Sequence, residues 1–147
     1  MLRLLIAGFL LITSLASLNC QTYTTGLQKG ANRADETAAI STLGVISRAQ
    51  TAYSISNPGE YGTFEQLVAG GFLDGRFSGS GPKAYGYIFT MNVSPKSDSK
   101  DGSYTLNVDP DPALKLTGRH FYVDSSSADI HVNPGSEAGA SDGLLRP

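Results

Sequence analysis

The sequence predicts an α+β domain: one long N-terminal helix and a short helix packed on a small antiparallel sheet of three to four strands. Three observations predict it. Apolar residues recur at three- and four-residue steps between Asn32 and Ser54, the spacing of a half-buried helix. Thr63-Phe64-Glu65-Gln66 has the pattern of a capping box opening a second, shorter helix. From Tyr85 onward the period switches to two, over short segments bounded by Gly, Pro and Ser. Helices first and strands after is a segregated order, in which the sheet buries one face under the helix stripe.

In the long helix, Asn32 is the expected N-cap, and Asp35 and Glu36 place negative charge in the first turn, where the helix dipole favours it. Ala39, Ile40, Leu43, Ile46 and Tyr53 form the apolar stripe, while Arg33, Glu36, Thr37, Ser41 and Arg48 fall mostly elsewhere. Asn57-Pro58-Gly59 stops the helix. The short helix runs on through Leu67, Val68 and Ala69 and ends at Gly70-Gly71, since Gly tolerates the left-handed C-terminal position. Strands are expected over Tyr85–Val93, Ser103–Val108, Arg119–Asp124 and Asp129–Asn133. Asp109-Pro110-Asp111-Pro112 should interrupt the second, because neither Pro can donate a ladder bond. Residues 134–147, rich in Gly, Ser and Ala, read as a flexible tail.

The chain has 147 residues, enough for one ordinary domain. Hydrophobic residues make up 40%, and the net charge is −2, which leaves no basic footprint for nucleic acid. The single Cys excludes an internal disulfide, a cysteine zinc cluster and a CxxC redox pair. Two His leave little material for a histidine metal centre. No cofactor is expected.

Residues 1–20 read as an address and 21–31 as a linker. Met1-Leu2-Arg3 followed by the uncharged run Leu4 to Leu18 has the form of a secretory signal peptide, and the run is shorter than the ~20 residues of a spanning helix. Leu15-Ala16-Ser17-Leu18-Asn19-Cys20 resembles the bacterial lipobox, whose Cys is acylated; Asn19 stands where that pattern has Gly, Ala or Ser. Gly8-Phe9 resembles a prepilin cleavage site, with Thr13 at the position of its Glu. Lipidation of Cys20, removal by the ordinary peptidase and prepilin processing all remain open at this point.

Ala39-Ile40-Ser41-Thr42-Leu43-Gly44-Val45-Ile46-Ser47-Arg48-Ala49-Gln50-Thr51-Ala52-Tyr53, then Tyr61 to Asp74, Tyr85-Gly86-Tyr87, Tyr104-Thr105-Leu106 and His120 to Asp124 form an ordered series. The series resembles the headpiece of bacterial type IV pilins and type II secretion pseudopilins, over residues 34–133. That resemblance implies a pilin-like domain over 32–133. It also implies a non-enzymatic structural or interaction component of a cell-envelope secretion or pilus system, exported to the periplasm or surface. A lipid on Cys20 would hold it at the membrane, with envelope proteins, pilins among them, as partners. The missing Glu and the short apolar run depart from the family and argue against a self-assembling fibre. The alternative is a lipid-anchored, extracytoplasmic ligand-binding module that reuses the headpiece, with calcium as one candidate ligand.

Two clusters carry possible chemistry. If Asp124 pairs with Asp129, Tyr122 faces His131 and His120 lies diagonally on the same face, a set suited to a divalent metal or acid–base work. Asp98, Asp101, Asp109 and Asp111 form an acidic run whose oxygens suit Ca²⁺, without EF-hand spacing. Nothing supplies a third convergent ligand for the first set, and solvated carboxylates account for the second, so neither metal nor catalytic residues are expected. Gly79-Ser80-Gly81 lacks the nucleophile-elbow pattern.

Overall fold

The structure, a computed structural model, describes residues 32–115 and 117–146. The signal-like segment, the linker, Gly8-Phe9 and Cys20 lie outside them. The chain divides into two compact units, Met1–Ala34 and Asp35–Pro147. Of the first, only residues 32–34 are described, as helix; apart from these, everything below concerns the second.

Helix α1 covers residues 32–56. Asn32, the expected cap, is itself helical. Ala39, Leu43, Ile46 and Ala49 are buried, with Ile40 and Tyr53 packed against the same core. The connecting segment then enters α2, Phe64–Ala69, through a complete capping box. Thr63 Oγ1 accepts from the Gln66 amide at 3.3 Å and Gln66 Oε1 accepts from the Thr63 amide at 2.8 Å. Gly71, at φ 73, takes the left-handed position after the helix.

The sheet corrects the expectation of three to four strands. It has six, in the order β1-β2-β3-β4-β5-β6, all antiparallel. They are β1 Lys83–Ala84, β2 Tyr87–Ser94, β3 Ser103–Pro110, β4 His120–Asp124, β5 Ser127–Asn133 and β6 Gly143–Leu144. The middle four answer to the period-two segments. β1 and β6 have two residues each, too few to show a period. β1 turns into β2 through Tyr85 and Gly86, both at positive φ, the geometry of a tight hairpin turn. Pro110 ends β3 opposite Tyr87 rather than breaking it.

Phe89, Leu106, Val108, Phe121 and Val123 face α1 and, with its stripe, make up the core. The opposite face carries the row Thr90, Asn107, Tyr122, His131 and Leu144, aligned strand by strand. The segment expected as a flexible tail folds onto the sheet. Asn107 Nδ2 donates to the Ala138 carbonyl at 2.9 Å, Ala138 is buried, and Gly143–Leu144 adds the sixth strand.

Candidate functional site

The hairpin set expected around the two His is only partly assembled. Tyr122 does face His131, ring centroids 6.1 Å apart. A register shift between Tyr122 and Asp124 sets Asp124 opposite Ser127 instead of Asp129, because the turn is two residues, Ser125–Ser126, rather than four. Asp129 accepts from the Ser127 hydroxyl.

Each His has its own partner. His120 Nδ1 lies 2.6 Å from Asp109 Oδ1. His131 Nδ1 lies 2.8 Å from the Asp142 carbonyl; a carbonyl only accepts, so Nδ1 carries the proton. Among the described residues no group of three or more His, Cys, Asp or Glu is placed to hold a metal ion.

The acidic run is pulled apart by the β2–β3 hairpin. Asp98 and Asp101 belong to the loop that joins the strands, while Asp109 and Asp111 lie at the far end of β3. At ~3.4 Å per residue, a strand's length separates the pairs. Asp109 is engaged by His120. Asp111 caps the 3₁₀ turn Pro112–Leu114 and pairs with Lys83 Nζ at 2.9 Å. Hydrogen bonds from Lys83 and then from the Ala113 amide hold its carboxyl below the usual range.

A second charged contact ties α1 to the sheet. Arg119 donates through Nε at 3.1 Å and Nη2 at 2.7 Å to Glu36 Oε1. Beside it Tyr87 is pushed up to about 12, by burial first and then by the Glu36 charge.

The described residues also form an open groove of about 360 Å³ between α1 and the β4–β5 turn. Ser47, Arg48 and Thr51 come from α1, Tyr61 from the connecting segment, Tyr104 from β3, and residues 124–128 from the turn. The two Tyr rings sit 5.0 Å apart, tilted by 57°, and the Ser47 and Tyr104 hydroxyls are 3.3 Å apart. Burial raises the Tyr104 hydroxyl above its usual value.

Asp124 turns its carboxylate into the chain. Oδ1 accepts from the Ser126 amide and hydroxyl, and Oδ2 from the Tyr122 hydroxyl. Burial pushes this group up, but those bonds, with one from the Ser127 amide, outweigh it and leave it below the usual range.

Sequence reasoning did not single out this groove. Ser47, Arg48 and Thr51 share a helix face by their spacing, but what they face depends on a turn contributed by residues distant in sequence. Nor is any helix among the described residues long and apolar enough to cross a membrane. No family model, curated protein or solved structure matches the chain.

Proposed function

We propose that this chain is a non-enzymatic, pilin-related component of a bacterial envelope secretion or pilus system, acting through protein contacts. In this reading it is exported and held at a membrane by lipid on Cys20. The observation that carries the reading is the way α1 lies on the sheet. Its Ala39, Leu43, Ile46 and Ala49 stripe is buried in one core with Phe89, Leu106, Val108, Phe121 and Val123, which makes the helix the spine of the domain. In sequence, an apolar run and then Cys20 precede that spine. The absence of catalysis is supported by how the polar groups are used: His120, His131, Asp109, Asp111 and Asp124 each make bonds that hold a strand, turn or tail. Several buried acyl chains, at ~0.8 kcal/mol per CH₂, would anchor the domain stably.

Palmitate labelling of the wild type and of Cys20→Ser in a bacterial host, with cross-linking of the cells, tests the proposal. Label on the wild type alone, with cross-links to envelope assembly proteins, is the expected result. An unlabelled wild type removes the lipid anchor. A methylated Phe9 N-terminus would establish prepilin processing in its place.

A further inference from the structure

We propose that Met91 is a reversible oxidation site: a peroxide converts its thioether to one epimer of the sulfoxide, and this loosens the hold of Gln50 on the connecting segment. The inference does not rest on the assembly role proposed above.

Met91 Sδ accepts a hydrogen bond from Gln50 Nε2 at 2.9 Å. The Gln50 side chain is fully buried, and Nε2 also donates to the Gly62 carbonyl at 2.7 Å. A side-chain amide has two N–H donors, so both are in use. A thioether sulfur has two lone pairs, and the inward one is taken by Gln50. Met91 is half-buried at the margin of the core, which leaves the outward lone pair as the one an oxidant reaches.

The strand around Met91 is open on one side. β1 pairs only with Tyr87 and Ile88, and the Phe89 amide makes the last bond on that side, to the Pro82 carbonyl at 3.0 Å. Backbone direction alternates along a strand, so Met91 turns its N–H and C=O to the same side as Phe89. Among the described residues no main-chain group meets them there.

Oxygen transfer from hydrogen peroxide balances without a further reactant. The outward lone pair attacks one peroxide oxygen; the S–O bond forms as the O–O bond breaks. The departing hydroxide takes up the proton of the transferred oxygen and leaves as water. Sulfur loses two electrons and the peroxide gains them. The new oxygen points away from Gln50, and the sulfur, now electron-poor, no longer accepts from Nε2. A buried amide hydrogen is left without a partner, which lowers the folding equilibrium constant roughly tenfold. A sulfoxide sulfur is also chiral. Attack from one side gives one hand in the folded chain, whereas an unfolded chain, open on both sides, gives both.

The test uses the full chain in peroxide-free detergent micelles, exposed to hydrogen peroxide either folded or in urea. The chain has 2 Met, and the other is Met1, so peptide mapping by mass spectrometry isolates Met91. Each product is then unfolded and treated with the two epimer-specific sulfoxide reductases separately. In the folded product one reductase should clear nearly all of the Met91 sulfoxide and the other almost none; in the urea product each should clear about half, one enzyme serving each epimer. The oxidised wild type should lose roughly tenfold in its folding equilibrium by urea denaturation, with faster amide exchange at Gly62, and the matching reductase should restore both. Met91→Leu, close in volume but without the acceptor, should start less stable and not respond to peroxide. The proposal is overturned if Met91 stays reduced in the folded chain while the unfolded chain is oxidised, if both reductases clear comparable shares of the folded product, or if peroxide destabilises Met91→Leu as much as the wild type.

Discussion

Gln50 and Gly62 exchange two hydrogen bonds: the Gly62 amide donates to Gln50 Oε1 at 2.9 Å, and Gln50 Nε2 donates to the Gly62 carbonyl at 2.7 Å. The Gln50 side chain is fully buried and so serves the connecting segment as a strand backbone would. It satisfies two main-chain groups that no helix or ladder reaches. Gly62 is suited to this approach, since a Cβ there would lie 3.1 Å from both Leu67 Cδ2 and the Tyr53 ring. Gln50→Leu keeps the volume and strands both groups, at ~1–3 kcal/mol each. We expect a loss of about 3 kcal/mol in urea denaturation. In Gln50→Glu, burial would raise the folded carboxyl above its unfolded value. Its neutral form can still exchange both bonds, so that variant should approach wild-type stability in acid and fall away as pH rises through the folded pKa.

The Glu36–Arg119 contact joins the first turns of α1 to the start of β4, with both donors converging on one oxygen. The Arg119 side chain is 43% exposed and Glu36 18%, so solvent screens part of the attraction. A double-mutant cycle with Glu36→Gln and Arg119→Met should give a coupling of about 1 kcal/mol that shrinks in high salt. Arg119→Lys should recover less than half of it, because an ammonium cannot reproduce the fork. A coupling near zero would mean that this ion pair adds nothing to the hold of the apolar stripe and of Gln50 on the helix.

Tyr87 gives the alkaline limb of stability a definite sign. Its folded pKa, about 12, lies above the ordinary value for tyrosine. The stability it contributes is therefore fully present below about pH 10 and lost as pH rises through the folded pKa. The chain has 7 Tyr and no Trp, so phenolate absorbance can be followed cleanly. The titration should show a late phase, to which the raised Tyr104 and Tyr122 also contribute, that shrinks in Tyr87→Phe and merges with the main phase in denaturant. A single phase near pH 10 in the folded protein would contradict the burial and the Glu36 field as causes.

Much of this was legible along the chain, for identifiable reasons. The Leu43–Ile46 stripe and the Thr63–Gln66 box are local patterns, and both are where the periodicity put them. Tyr122 faces His131 although the Asp124–Asp129 pairing from which that was expected is absent, because the irregular step between Tyr122 and Asp124 offsets the shorter turn. What failed depended on distant partners. Asp129 missed Asp124 because one irregular step in the ladder shifts everything beyond it. Asp98 and Asp109 are close in sequence and parted by a strand. Pro110 is a breaker by residue type, yet neighbouring Asp109 and Asp111 point their backbone toward the β2 side, where the Asp111 amide meets the Gly86 carbonyl. Pro110 thus turns its missing donor away from that ladder. The six-strand sheet was out of reach because Gly143–Leu144 has no pattern of its own and pairs only because the segment before it is tied down.

Asp142 does that tying. Its Oδ1 accepts from Asn133 Nδ2 at 3.0 Å, its Oδ2 from the Gly139 amide at 2.8 Å, and its carbonyl from His131 Nδ1 at 2.8 Å. Those bonds close a loop that lays residues 134–142 over the sheet face opposite α1 and brings Gly143–Leu144 alongside β5. Composition alone predicts mobility for such a segment, because Gly and Ser side chains bury little; here one carboxylate and one Asn supply the order. Asp142→Ala removes two of the bonds while leaving the apolar core untouched. Its cost should be about 1–2 kcal/mol in global stability, given the partial exposure of the site. The larger effect should be local. Amide exchange at Gly139 and Leu145 should accelerate toward unfolded rates while Leu106 and Val123 stay protected, the signature of a segment opening on its own. Asp142→Asn keeps an acceptor for one of the two donors and should fall between. If all of these amides lost protection together in Asp142→Ala, the tail would be an integral part of the cooperative unit and not a separately fastened strap.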